Sequence, residues 1–155
     1  SLGWKLDWRK FRQYLRNKYS VVEAYLFIGY KAGNESLYTS LQKMGFIVVF
    51  KPSMELPDGT VKGNVDAELV LHTMIHHDDY DKAIIVSGDG DFFCLVEYLE
   101  SKDKLLHVLT PNKNYSGLLR RYNNYIVRID LLRGSMEFHK EEEKNLTKIS
   151  GRSKP

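Results

Sequence analysis

The 155 residues carry 23 Lys and Arg against 20 Asp and Glu, a formal charge of +3, with 43% hydrophobic and 12% aromatic residues. That length suits one ordinary globular domain, and that composition excludes a disordered chain while permitting, without requiring, a polyanionic partner. The single cysteine, Cys94, excludes an internal disulfide, and neither a membrane-length apolar run nor a signal-peptide layout at Ser1–Lys10 is present, so a cytoplasmic protein without a membrane partner is expected.

Trp8, Phe11, Tyr14 and Leu15 recur at helical spacing and predict a helix over 7–17. Residues 21–30 are rich in β-branched and aromatic side chains and predict a strand. A helix over 35–44 is closed by Gly45, and Phe46–Phe50 is a short, wholly apolar strand. Pro52, Pro57, Asp58-Gly59 and Gly63 mark a long hairpin-like excursion. A helix follows over 65–76, then the strongest strand of the chain, 82–87 with Ala83-Ile84-Ile85-Val86. Beyond it come a helix over 91–100, a strand over 104–109 broken by Pro111, a short helix over 115–121 and a last strand over 125–129. From 133 to 155 a charged tail, partly helical or disordered, is expected after a domain spanning 1–132. Strands alternating with helices predict an α/β sandwich, and the unbroken apolar strands 46–50 and 83–86 predict a mainly parallel sheet buried on both faces.

In such sheets ligands bind beyond the carboxyl ends of the strands. Ser87-Gly88-Asp89-Gly90-Asp91-Phe92 stands at that place after strand 82–87. Gly88 and Gly90 permit a sharp turn and close approach to the backbone, so both carboxylates can point at one small volume. Crowded carboxylates repel, and a hard cation such as Mg²⁺ or Mn²⁺ relieves that repulsion. The plainer reading is a turn with Asp91 as helix cap. Asp66, in the first turn of helix 65–76, is a candidate third carboxylate. Helix periodicity alone does not separate it from Glu68, and an acid in a first turn is also ordinary dipole compensation.

Lys62-Gly63-Asn64-Val65-Asp66-Ala67-Glu68-Leu69, a helix, and then Ile84-Ile85-Val86-Ser87-Gly88-Asp89-Gly90-Asp91-Phe92 together resemble the NYN domain, the LabA-like branch of the PIN-like nucleases. The resemblance runs from Gly3-Trp4-Lys5-Leu6-Asp7 to about Leu132, through Ala24-Tyr25-Leu26-Phe27-Ile28-Gly29-Tyr30 and Thr110-Pro111-Asn112-Lys113. It implies a three-layer, Rossmann-like PIN-type sandwich and divalent-metal-dependent cleavage of RNA. Asp66, Asp89 and Asp91 match the family's metal-binding and catalytic acids. Ser87 matches its small hydroxyl residue, and Gly88, Gly90 and Asn64 stand as supporting positions. The family also begins with a central strand ending in Asp, whereas only Ser1–Leu6 precede the first helix here. The expectation is a sheet with unpaired strand edges and a site short of one carboxylate.

Lys62, Lys113, Arg120 and Arg121 are candidate RNA contacts, with a solvated charged face as the alternative for each. Tyr115, Tyr122 and Tyr125 can stack on bases of single-stranded RNA, or pack in the core. An exposed strand edge makes a homodimer an open expectation. A non-catalytic RNA-binding or regulatory module is the competing reading. A receiver-like phosphotransfer domain ranks lower, because Thr110 stands where a basic residue should precede Pro111. His72 and His76 share zinc-ligand spacing, but no Glu follows His72, and a solvated helix face is expected there. Cys94 is expected to be buried and inert. Neither a Gly-rich phosphate loop nor a nucleophile elbow occurs.

Overall fold

The computed structural model describes residues 2–52, 54–62 and 65–142, without the side chains of Val61 and Lys62. Helix α1, Trp8–Tyr19, begins where the Asp7 carboxylate accepts a hydrogen bond from Lys10 N at 3.0 Å and ends at Ser20, in the left-handed region. Strand β1, Ala24–Tyr30, leads to α2, Glu35–Lys43, and Gly45 at φ +98° turns the chain into β2, Phe46–Pro52. The Pro- and Gly-marked excursion forms an antiparallel hairpin of β3, Met54–Glu55, and β4, Val61–Lys62. Helix α3, Asp66–Ile75, leads to β5, Ala83–Val86. A 3₁₀ turn, Gly90–Phe92, opens α4, Phe93–Ser101; β6, Leu105–Thr110, follows. A 3₁₀ segment, Gly117–Tyr125, leads to β7, Ile126–Arg128, and then to α5, Arg133–Met136.

All the long pairings are parallel: β1 with β2, and β5 with β6 with β7. Alternate strand residues enter different cores, which puts helices on both faces. Ile85 and Val108 join Leu95, Val96 and Leu99 of α4 and Leu119 and Tyr122 of the 3₁₀ segment. Ile84 and Leu109 join Phe11 and Leu15 of α1, Leu41 of α2, and Met136. The result is the expected α/β sandwich of three layers, and its core reaches past Leu132 to Met136, which is completely buried. The expectation for the tail beyond residue 142 falls outside the described residues.

Among the described residues no ladder joins β1 to β5. Each is bonded along one edge only, although residues of both β1 and β5 pack into the core that holds Phe11 and Leu15 of α1. One edge of β1 and one edge of β5 are therefore unpaired among the described residues. No described helix is long and apolar enough to cross a membrane.

Two expectations are corrected. Cys94 is exposed, because Leu95, Val96 and Leu99 are the α4 positions that face the core and Cys94 falls outside that stripe. The histidine face of α3 is not a solvated one: the His72 ring lies 5.4 Å from that of Phe27, and His76 stacks on Tyr25, also at 5.4 Å. Instead Leu71 and Ile75 are exposed, at 57% and 60%. Helix α3 sits with Leu69 and Val70 against the β5 core and its histidines against β1, which leaves the Leu71 side outward.

Candidate metal centre at the strand ends

After β5 the chain folds on itself through its own side chains. Ser87 Oγ accepts from Asp89 N at 3.1 Å, and Asp89 Oδ1 accepts from Asp91 N at 2.9 Å. Such short hydroxyl and carboxylate turns stabilise a tight loop without a regular ladder. The capping role therefore falls to Asp89, which caps the 3₁₀ turn, and not to Asp91; α4 itself starts without a side-chain cap.

The glycines are needed for space rather than for an unusual backbone angle. A Cβ on Gly88 would lie 3.3 Å from Tyr115 Cβ and 3.5 Å from Pro111 Cδ. A Cβ on Gly90 would overlap the Ser116 hydroxyl. Ser116 N also donates to Gly88 O at 2.9 Å, so the aspartate loop is clamped against the segment that follows β6.

Asp66, the first residue of α3, closes the constellation. One carboxylate oxygen from each of Asp66, Asp89 and Asp91 lies within 4.8 Å of the others; Asp66 is half-buried and the other two are exposed. The ambiguity between Asp66 and Glu68 is resolved by packing. Glu68 turns the other way, to Lys51 Nζ of β2 at 3.4 Å, and its Oε2 is buried with no partner among the described residues. An all-carboxylate donor set of this kind suits a hard divalent cation such as Mg²⁺ or Mn²⁺ and is poor for softer metals.

Lys113 is exposed in the turn after β6. Arg120 is exposed, while Arg121 lies 3.6 Å from Glu97 and over the rings of Phe93 and Tyr122, held against α4. Asn64 and the side chain of Lys62 lie outside the described residues. Tyr122 is buried, and Tyr115 and Tyr125 pack against the same core, in favour of the packing role for all three. A basic residue that sequence reasoning missed is Arg128, at the carboxyl end of β7, which forks onto Asp130. The signal was present: an Arg-Ile-Asp run closing an apolar strand obeys the same strand-end rule that singles out Asp89.

The family description of the NYN domain matches residues 1–130. The chain belongs to the NYN domain family. This NYN domain is similar to the "Low amplitude and bright protein LabA" of Synechococcus elongatus, with 26% identity over 145 residues, covering 87% of this chain and 78% of that protein. Its fold is similar to a crystal structure of a protein of unknown function from Vibrio parahaemolyticus, with a TM-score of 0.68 and 27% identity over 82% of this chain and 80% of that one. The NYN resemblance drawn from the two acidic motifs is thus borne out, and so is the PIN-like, Rossmann-type α/β fold.

Proposed function

We propose that this NYN domain is a divalent-metal-dependent ribonuclease that cuts single-stranded RNA at Asp66, Asp89 and Asp91. The observation that carries the reading is the meeting of three carboxylates from two separate segments at one strand end. Phosphodiester hydrolysis requires a nucleophilic water and neutralisation of charge on the phosphate. A bound Mg²⁺ or Mn²⁺ would supply both, by acidifying a water and screening the phosphate oxygens.

The chain's own contribution is positioning. Asp89 is oriented by the bond from Asp91 N, and its loop by the Ser87 hydroxyl and the clamp at Gly88. Asp66 approaches from the start of α3, where the helix dipole favours a carboxylate. Lys113 and Arg120 are exposed cations with which an RNA backbone can pair.

The test is cleavage of a labelled single-stranded RNA with Mg²⁺ or Mn²⁺, with EDTA, and with Asp89→Asn. Metal-dependent cleavage that EDTA and Asp89→Asn both stop is the expected result. An Asp89→Asn protein with full metal-dependent activity would sink the site assignment. Retardation of intact RNA in every condition would instead favour a non-catalytic RNA-binding module.

A further inference from the structure

The carboxyl end of β7 carries a second polar group on the same shelf as the aspartate loop. Arg128 Nε donates to Asp130 Oδ1 at 3.1 Å and Nη2 to Oδ2 at 2.6 Å. The side chains are 31% and 21% exposed, so the pair is open to solvent on one side and packed on the other. A fork of this kind occupies one edge of the guanidinium and leaves donors on the other edge.

The pair is linked to the acid loop through Pro111. Asp130 N donates to Pro111 O at 3.1 Å, and Pro111 Cδ in turn abuts Gly88. Arg128 stands in register with Thr110 of β6, two positions beyond the pair Val108 and Ile126. Val108 and Ile126 belong to the core of α4 and the 3₁₀ segment, so Arg128 lies on that face, where Tyr115 also packs. The raised pKa of Arg128 comes first from its hydrogen bond to Asp130, with Tyr115 among the lesser contributors, which puts the phenol nearby. One strand separates β5 from β7, so the two strand ends lie about 10 Å apart across the sheet. That is beyond the reach of a single phosphate.

We propose that Arg128, oriented by Asp130, grips a backbone phosphate of the RNA to one side of the bond cut at the aspartate cluster, with Asp130 as its positioning residue. The proposal rests on the ribonuclease reading and extends it to a second contact on the substrate. An arginine suits this task because its planar fork can hold a carboxylate on one edge and a phosphate on the other, which a lysine cannot.

The experiment compares wild type, Arg128→Gln, Arg128→Lys and Asp130→Asn. Affinity for a labelled single-stranded RNA is measured in EDTA over a salt series, and cleavage is measured with Mn²⁺ or Mg²⁺. Arg128→Gln is expected to weaken binding about tenfold and to flatten the slope of log K against log salt by about 0.7, one phosphate contact on a single strand. Its KM rises while kcat stays near wild type, because a contact away from the reacting phosphate contributes uniform binding. Arg128→Lys keeps the slope and loses part of the affinity, and Asp130→Asn does the same.

A purely structural clip would lower the thermal midpoint of these variants yet leave slope and KM at wild-type values. That outcome overturns the proposal. If wild type binds RNA but cuts none with any divalent cation, the ribonuclease reading falls, while an Arg128-dependent slope still supports the phosphate contact. If wild type binds no RNA, both fall.

Discussion

Gly90 and Ser116 touch so closely that no side chain fits between them. A Cβ on Gly90 would overlap Ser116 Oγ, lie 3.0 Å from Ser116 Cβ and 3.2 Å from Leu118 Cδ1. The hydroxyl has little freedom to move aside, because it accepts from Leu118 N and caps the 3₁₀ segment. Gly90→Ala should therefore cost ~1–3 kcal/mol of stability by overpacking. Thermal unfolding checks the cost, and RNA cleavage should fall with it as the aspartate loop is displaced. Gly88→Ala, whose nearest neighbour is 3.3 Å away, should cost less.

The acid cluster predicts opposite signs for stability and function. Asp91 offers a carboxylate to a crowded trio, and its side chain caps no helix. Asp91→Asn should raise the thermal midpoint of the metal-free protein by relieving repulsion. Millimolar Mg²⁺ or Mn²⁺ should raise the midpoint of wild type, by mass action on the folded state, and raise that of Asp91→Asn much less. A metal-independent midpoint in wild type would contradict the assignment of these carboxylates as ligands.

Arg12 makes a separate prediction about the fold. It is 6% exposed, and it donates from Nε to Gly45 O, from Nη1 to Val21 O and from Nη2 to Val22 O, at 3.3, 3.2 and 2.9 Å. Burial lowers its pKa, yet these carbonyls, at the approaches to β1 and β2, compensate the guanidinium. Arg12→Met should destabilise by on the order of 3 kcal/mol, since it removes three charge-assisted bonds that tie α1 to the chain entering β1 and β2. Arg12→Lys should recover little, because an ammonium cannot reach all these acceptors at once. Denaturant unfolding measures both.

Acid should weaken the protein through carboxylates that bind cations or hydroxyls. Hydrogen bonds hold Asp130 below its usual range through Arg128, Glu137 through Arg133, Glu142 through Lys10 and Asp103 through Lys82. A depressed folded-state pKa contributes stability that is fully present above the unfolded value, about 4, and is lost as pH falls through the folded value. The thermal midpoint should therefore drop below about pH 4, and the drop should be shallower in an Asp130→Asn, Glu137→Gln double variant. Because all four groups are at the surface, added salt should blunt the effect.

Much of this protein is determined by local sequence. Apolar runs such as Ala83-Ile84-Ile85-Val86, the Asp7 cap and the Gly45 stop act within a few residues, so the order of elements follows from spacing alone. The Gly-Asp-Gly-Asp turn at a strand's carboxyl end is likewise a local feature, and Asp89 and Asp91 were legible from it. The choice between Asp66 and Glu68 was not. Both lie in the first turn of α3, and only the docking of that helix between β1 and the β5 core sends one to the aspartate loop and the other to Lys51. The same docking turned His72 toward β1, against the expectation of a solvated histidine face. Arg128 gains its place only when parallel pairing brings the end of β7 beside Pro111. Spacing along a chain says which side chains share a face. Which neighbour that face meets is decided by contacts between residues distant in sequence, and the three-aspartate cluster is assembled from such contacts.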